Sequence, residues 1–273
     1  MADYGVRLTR RDHVACVTLD RPDRQNALDE TMWNDMERVL EEIGTNLPRA
    51  VILTGAGEKA FCAGFDVQLD NPHARSFFQA IERRDHSAIH SIIERIRSLT
   101  DALTMLPVPV IAAINGLAYG GGAEIASRCD LRVMDPRAVI CFSEVRLGLM
   151  PDHGGAVGLT RLVGPSRAAD LILTARKVDA SEALALGLTN RISAPGQALE
   201  EALSLARLLA GHGPRAIRHA LKVIRQVNEL TMKEALELET KEAVDLIASG
   251  ECLHGVAAFL ARETPAFPEP DGT

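Results

Sequence analysis

Residues 114–126 read Ile114-Asn115-Gly116-Leu117-Ala118-Tyr119-Gly120-Gly121-Gly122-Ala123-Glu124-Ile125-Ala126, and the parsing of this stretch decides the fold. The run leading into it, 110–114, is apolar, carries β-branched residues and follows Pro107 and Pro109, so it reads as a strand. The three glycines then open a segment, 123–127, that can continue as a helix. At such a helix start the main-chain N–H groups point outward with the positive end of the dipole behind them, which stabilises an anionic oxygen. The alternative is that the glycines only permit a tight turn. Residues 51–55, Val-Ile-Leu-Thr-Gly, share the plan of a strand followed by a glycine loop, which hints at a repeated strand-turn-helix unit.

Outward from this stretch, residues 14–19, 50–54, 131–134 and 138–142 read as further short strands, and helical patterns alternate with them, so the core is α/β. Between the first two strands Leu28, Met32, Met36, Val39, Leu40 and Ile43 recur at helical spacing, with Asp29 as cap and Gly44 expected just past the end. The segment 75–106 reads as one long amphipathic stretch stopped by Pro107. After Val163 the strand signal disappears and helical patterns run to Arg262, with two expected reciprocal caps at Asp179/Glu182 and Thr231/Glu234. The expected organisation is an α/β core over 1–195 and a C-terminal helical region over 196–273, whose Pro-rich end from Pro265 should fray.

The chain has 273 residues, 47% of them hydrophobic, which is enough for a sizeable core in one domain. A formal net charge of −7 argues against nucleic acid as a general partner, since phosphate binding needs concentrated positive charge. Arg21 with Arg24, or Arg161 with Arg167, could bind a phosphorylated small molecule or could be solvated surface arginines. Five cysteines with no C-x-x-C pair fit neither a disulfide framework nor a zinc site. No run of eighteen apolar residues exists, and the first residues lack a basic segment followed by an apolar block, so a cytoplasmic protein without a membrane partner is expected. Neither G-x-G-x-x-G nor a Walker-type loop occurs, which leaves dinucleotide and ATP cradles unsupported.

Gly55-Ala56-Gly57-Glu58-Lys59-Ala60-Phe61-Cys62-Ala63-Gly64-Phe65-Asp66 and the 114–126 stretch resemble, in order, the two motifs of the enoyl-CoA hydratase/isomerase (crotonase) family. The likeness runs from Leu19-Asp20-Arg21-Pro22 and Asn26-Ala27-Leu28 to Phe259 and Phe267. It implies an α/β spiral of repeated strand-strand-helix turns with a C-terminal helical part used for trimer assembly, hence a homotrimer or hexamer. The implied substrate is an acyl-CoA thioester, with no cofactor beyond the CoA it carries and no metal. The resemblance assigns the oxyanion-stabilising N–H groups to Phe65 and Gly121, and the CoA surface to Arg24, Gln25, Ala27, Ala63, Asp66 and Val67. Such preformed donors contribute about a hundred- to a thousandfold each.

Glu124 and Glu144 each read by themselves as solvated or capping carboxylates. Through the resemblance they become the pair that adds water, Glu144 exchanging the α-carbon proton and Glu124 orienting or activating the water. Where many family hydratases have Pro-Gly-Ala-Gly-Gly, this chain has Pro151-Asp152-His153-Gly154-Gly155. Asp152 is then either a turn residue or the second acid of a double-bond isomerase, and His153 reads as a turn or surface residue. Phe77, Phe78 and the 71–76 segment either shape the acyl pocket or pack. Hydration of a trans-2-enoyl-CoA is the leading expectation and enoyl- or dienoyl-CoA isomerisation the alternative. A family hydrolase and a non-catalytic RNA-binding relative rank below both.

Overall fold

In the computed structural model of the chain, which describes residues 5–68 and 70–270, two central strands explain why the core runs read as unbroken apolar stretches. On Ala50–Gly55 and Val110–Ile114, one set of alternate residues (Val51, Leu53, Val110, Ala112, Ile114) enters one core, and the other set (Ala50, Ile52, Ile111, Ala113) enters a second core on the opposite face. A sheet covered on both faces needs apolar residues at every position.

In chain order the strands are β1 Gly5–Arg11, β2 Val14–Asp20, β3 Ala50–Gly55, β4 Ala60–Cys62, β5 Val110–Ile114, β6 Leu117–Tyr119, β7 Leu131–Met134, β8 Val139–Cys141, β9 Val178–Asp179 and β10 Arg191–Ile192. The helices are α1 Glu30–Thr45, α2 Pro72–Glu82, α3 His86–Thr104, α4 Gly121–Arg128, α5 Gly155–Val163, α6 Pro165–Thr174, α7 Ala180–Leu186, α8 Ala198–Ala210, α9 Pro214–Gln226, α10 Met232–Ala248 and α11 Glu251–Ala261. One sheet has the order β1-β2-β3-β5-β7-β10 and a second the order β4-β6-β8-β9. The pairs β1–β2 and β8–β9 are antiparallel, and the rest are parallel. Each of β3-β4, β5-β6 and β7-β8 therefore sends one strand to each sheet before its helix, which is the strand-strand-helix turn the resemblance implies. Helix α1 packs on β1 and β2, and α8 covers the other face through Ala202, Leu203 and Ala206.

Several local expectations are corrected. Gly44 lies inside α1, which ends instead at the Asn46 cap; its neighbour Ile43 is fully buried and holds that turn to the core. The 75–106 segment is two helices, because Arg84 adopts φ +52° and Asp85 starts α3 by accepting from the Ala88 N–H. The Thr231/Glu234 cap is reciprocal. At Asp179 only half of it forms, since the Glu182 carboxylate is drawn to Arg176 at 2.7 Å. Through Pro270 the tail is pinned rather than frayed: Arg49 donates to the Phe267 carbonyl at 2.7 Å and to Glu269 at 2.9 Å, while 271–273 lie outside the described residues. Among the described residues no single helix is long and apolar enough to cross a membrane.

Candidate active site

Two main-chain N–H groups converge where the β4 loop meets the start of α4. Phe65 forms a parallel bridge with Leu28 that uses its neighbours: the Leu28 N–H donates to Gly64 O at 2.8 Å, and the Asp66 N–H donates to Leu28 O at 3.0 Å. The Phe65 N–H is thereby left out of the bridge. Gly121 is the first residue of α4, so its N–H belongs to the first turn and has no intrahelical acceptor. Gly64, at φ +87°, brings the two together; a Cβ there would lie 2.8 Å from the Gly121 nitrogen. Glycine is needed at 64 for its conformation and for this close approach alike.

One turn along α4, Glu124 is 1% exposed and reaches across to the loop before α5. Its Oε2 accepts the N–H groups of His153 and Gly155, both at 2.8 Å. A Cβ on Gly155 would overlap the Glu124 side chain. Burial, then the negative charge of Glu144, pushes the Glu124 carboxyl up to about 9 against the hydrogen bond from Gly155. Glu144 opens the short 3-10 turn Glu144–Leu147 after β8. It is buried, and neither of its carboxyl oxygens has a hydrogen-bond partner among the described residues. Burial, with the charge of Asp152 adding to it, raises its pKa too. Because the two carboxyls interact, the proton held at neutral pH belongs to the pair. A buried carboxyl without partners is costly to keep, and such groups concentrate at functional sites.

Asp152 lies beside this pair with its side chain a third exposed, 3.3 Å from Nε2 of His153. The structure corrects the reading of His153. Its ring is buried, packs edge-on against Trp33 at 6.2 Å, and covers Gly121 so closely that a Cβ there would lie 2.7 Å from Nδ1. The loop turns inward to bring its N–H groups to Glu124, and the ring follows. Burial holds the imidazole below its ordinary pKa of 6.5, so it is neutral at pH 7. No periodicity marks a residue that lies in a single turn, which is why sequence reasoning missed it. Possible metal donors of Glu124, Asp152 and His153 come within 4.8 Å of one another. However, Glu124 Oε2 is already engaged, and buried Nδ1 of His153 has no partner to brace the ring as a ligand.

Phe65, Gly121, Glu124, Glu144 and Asp152 all line one cavity of about 410 Å³, as do Phe77 and Phe78, whereas residues 71–76 do not. Of the positions assigned to CoA, Ala63 and Val67 line this cavity too. Arg24 and Gln25 are exposed next to them, joined by the Ala63 N–H donating to Gln25 O at 3.0 Å. Ala27 and Asp66 are buried beneath. The Asp66 carboxylate is occupied by Arg21 at 2.6 Å and by the Gln68 N–H at 3.0 Å, so it fixes the loop. Arg21 itself is buried between Asp66 and Asp29, which removes it from any surface phosphate patch.

Residues 9–270 match the family model for enoyl-CoA hydratase/isomerase. The short-chain-enoyl-CoA hydratase of Clostridium acetobutylicum is 36% identical over 94% of this chain and 95% of its own length. Enoyl-CoA hydratase EchA19 of Mycobacterium tuberculosis is 34% identical over 94% of both chains. The crystal structure of an enoyl-CoA hydratase from Bacillus anthracis superposes with a TM-score of 0.87 at 32% identity, covering 96% of this chain and 98% of that one.

Proposed function

We propose that this chain, which belongs to the enoyl-CoA hydratase/isomerase family, adds water to a trans-2-enoyl-CoA or removes it in the reverse direction. The observation that carries this reading is the buried acid pair: Glu144 with both oxygens unpartnered, beside Glu124 held by two main-chain N–H groups. The thioester oxygen sits on the N–H groups of Phe65 and Gly121. As water adds at the β-carbon, negative charge moves onto that oxygen, where the two donors meet it. For the attack the one proton of the pair stands on Glu144, so Glu124 is the carboxylate that takes a proton from the water while Glu144 delivers its own to the α-carbon. The pair begins and ends the turnover with one proton. General acid–base transfer of this kind contributes about a hundred- to ten-thousandfold.

In this reading the neutral His153 ring orients the site and the reaction needs neither a metal nor a redox cofactor. The chain acts as a homotrimer or hexamer in the cytoplasm. Support for the assembly comes from α10 and α11, where Leu236, Val244, Ile247, Val256 and Phe259 remain exposed. Asp152 supports a second reading, because it lines the same cavity beside the pair and could carry a proton to a more distant acyl carbon, moving the double bond instead. The test compares Glu124→Gln with Asp152→Asn on trans-2-enoyl- and 3-enoyl-CoA in oxygen-18 water. Hydration predicts solvent oxygen in the product and a loss of at least about a hundredfold in Glu124→Gln, with little change in Asp152→Asn. Unlabelled product and the opposite ranking would install the isomerase.

A further inference from the structure

The cavity is polar only at its catalytic end, where Glu124, Ser143, Glu144, Asp152 and His153 gather; every other side chain lining it is apolar. Its inner wall is built by Phe77 of α2 with Ile92, Ile93 and Ile96 of α3. Around its mouth stand Val67, Phe78, Ile81, Leu147, Leu149 and Met150, all exposed, with Leu147 at 66% and Met150 at 63%. A rim of six exposed apolar side chains continuous with a catalytic cavity is an unusual arrangement to leave in water. At about 30 Å³ for each water-sized group, 410 Å³ holds roughly a dozen such groups, where a four-carbon acyl group fills about a third.

We propose that the acyl group this site takes is a long hydrocarbon chain without polar substituents, about eight carbons or more, which fills the cavity and emerges against the apolar rim. The inference rests on the thioester reading and names its substrate class. No lining side chain beyond the catalytic end can satisfy a hydroxyl or carboxylate on the enclosed part of the acyl group, so a polar substituent on those carbons is excluded by the desolvation it would suffer. Each methylene brought against this wall tightens binding about threefold to fourfold where it is fully buried, and less along the open rim.

Isothermal titration of the full-length protein with free CoA and with saturated butyryl-, octanoyl- and dodecanoyl-CoA reads this directly, because saturated thioesters bind without reacting. Dodecanoyl-CoA is expected to bind at least about a hundredfold more tightly than butyryl-CoA. Ile81→Ser and Met150→Ser, both at exposed positions, should each weaken dodecanoyl-CoA about threefold to tenfold and leave butyryl-CoA within about twofold. Equal affinity for butyryl- and dodecanoyl-CoA overturns the inference while the thioester reading stands, and points to a second copy of the chain as what covers the rim. No binding of any acyl-CoA overturns both.

Discussion

Replacing Glu124 with glutamine should make the protein more stable while it destroys turnover. In the folded chain the carboxyl is raised from its ordinary 4.5 to about 9, so between those pH values the native state holds a proton that the unfolded chain has released. Stability falls with rising pH wherever the folded state binds more protons, and the loss here runs from pH 4.5 up to about 9. Each pH unit is worth about 1.4 kcal/mol, so by pH 7 holding Glu124 protonated costs about 3 kcal/mol, an upper figure because Glu144 shares the proton. Glutamine abolishes this term. Its carbonyl still accepts from the N–H groups of His153 and Gly155, and its amide can donate to the partnerless Glu144. Urea unfolding at pH 6 and pH 8 measures the effect. The variant should be more stable at both, and its advantage over the parent should widen by about 1 to 3 kcal/mol between them. A variant that is less stable at pH 8, or whose advantage does not change with pH, would refute the claim that burial strains this carboxyl.

Gly64→Ala puts a methyl 2.8 Å from the Gly121 nitrogen at φ +87°, and should cost about 1–3 kcal/mol and about a hundredfold in kcat; wild-type turnover in the folded variant would separate Gly64 from the oxyanion site. Arg21→Leu removes the cation between two buried carboxylates, Asp29 and Asp66, and should lose about 3–5 kcal/mol in urea unfolding, whereas a loss under about 1 kcal/mol would mean the cluster is solvated. Light scattering at micromolar concentration should give three or six copies, given Phe259 at 81% and Leu260 at 76% exposure; a monomer contradicts the assembly.

The parts legible in the sequence were those with a strong local cause. Strands 110–114 and 131–134 coincide with β5 and β7 because both are short, mainly apolar runs, broken in β7 only by Arg132, and are bounded by asparagine-glycine, aspartate or proline signals. A helix opening at the triple glycine was readable from the helical pattern that follows it, whereas the choice of Gly121 within the triplet came from the family resemblance. Strands β4 and β6 have three residues each and β9 and β10 only two, too few for any period to show; pairing with a neighbouring strand makes them strands. The α2–α3 break rests on one left-handed arginine in a local helix-end cap, where the Asp85 N–H donates to Ala80 O and the Arg84 N–H to Ile81 O, with no glycine to mark it in the sequence. Asp66 sits inside the recognised motif, yet its partner Arg21 lies 45 residues earlier, so the ion pair that occupies it cannot be seen along the chain.

The acid at the centre of the site hangs from the main chain of residues 153 and 155 and from no side chain of that loop. Backbone suspension separates placement from chemistry. Position 152, a third exposed, can exchange its side chain while Glu124 stays mounted, as long as Gly155 keeps the room the glutamate needs and the buried His153 ring keeps its place against Trp33. The loop is therefore a socket, with two vertices fixed by packing, His153 and Gly155, and one open to substitution at the cavity wall. A library confined to residue 152 would sample new reactions of the same bound thioester with little risk to folding, and a second generation could redirect the protein by altering what stands beside the acid pair while leaving the pair untouched.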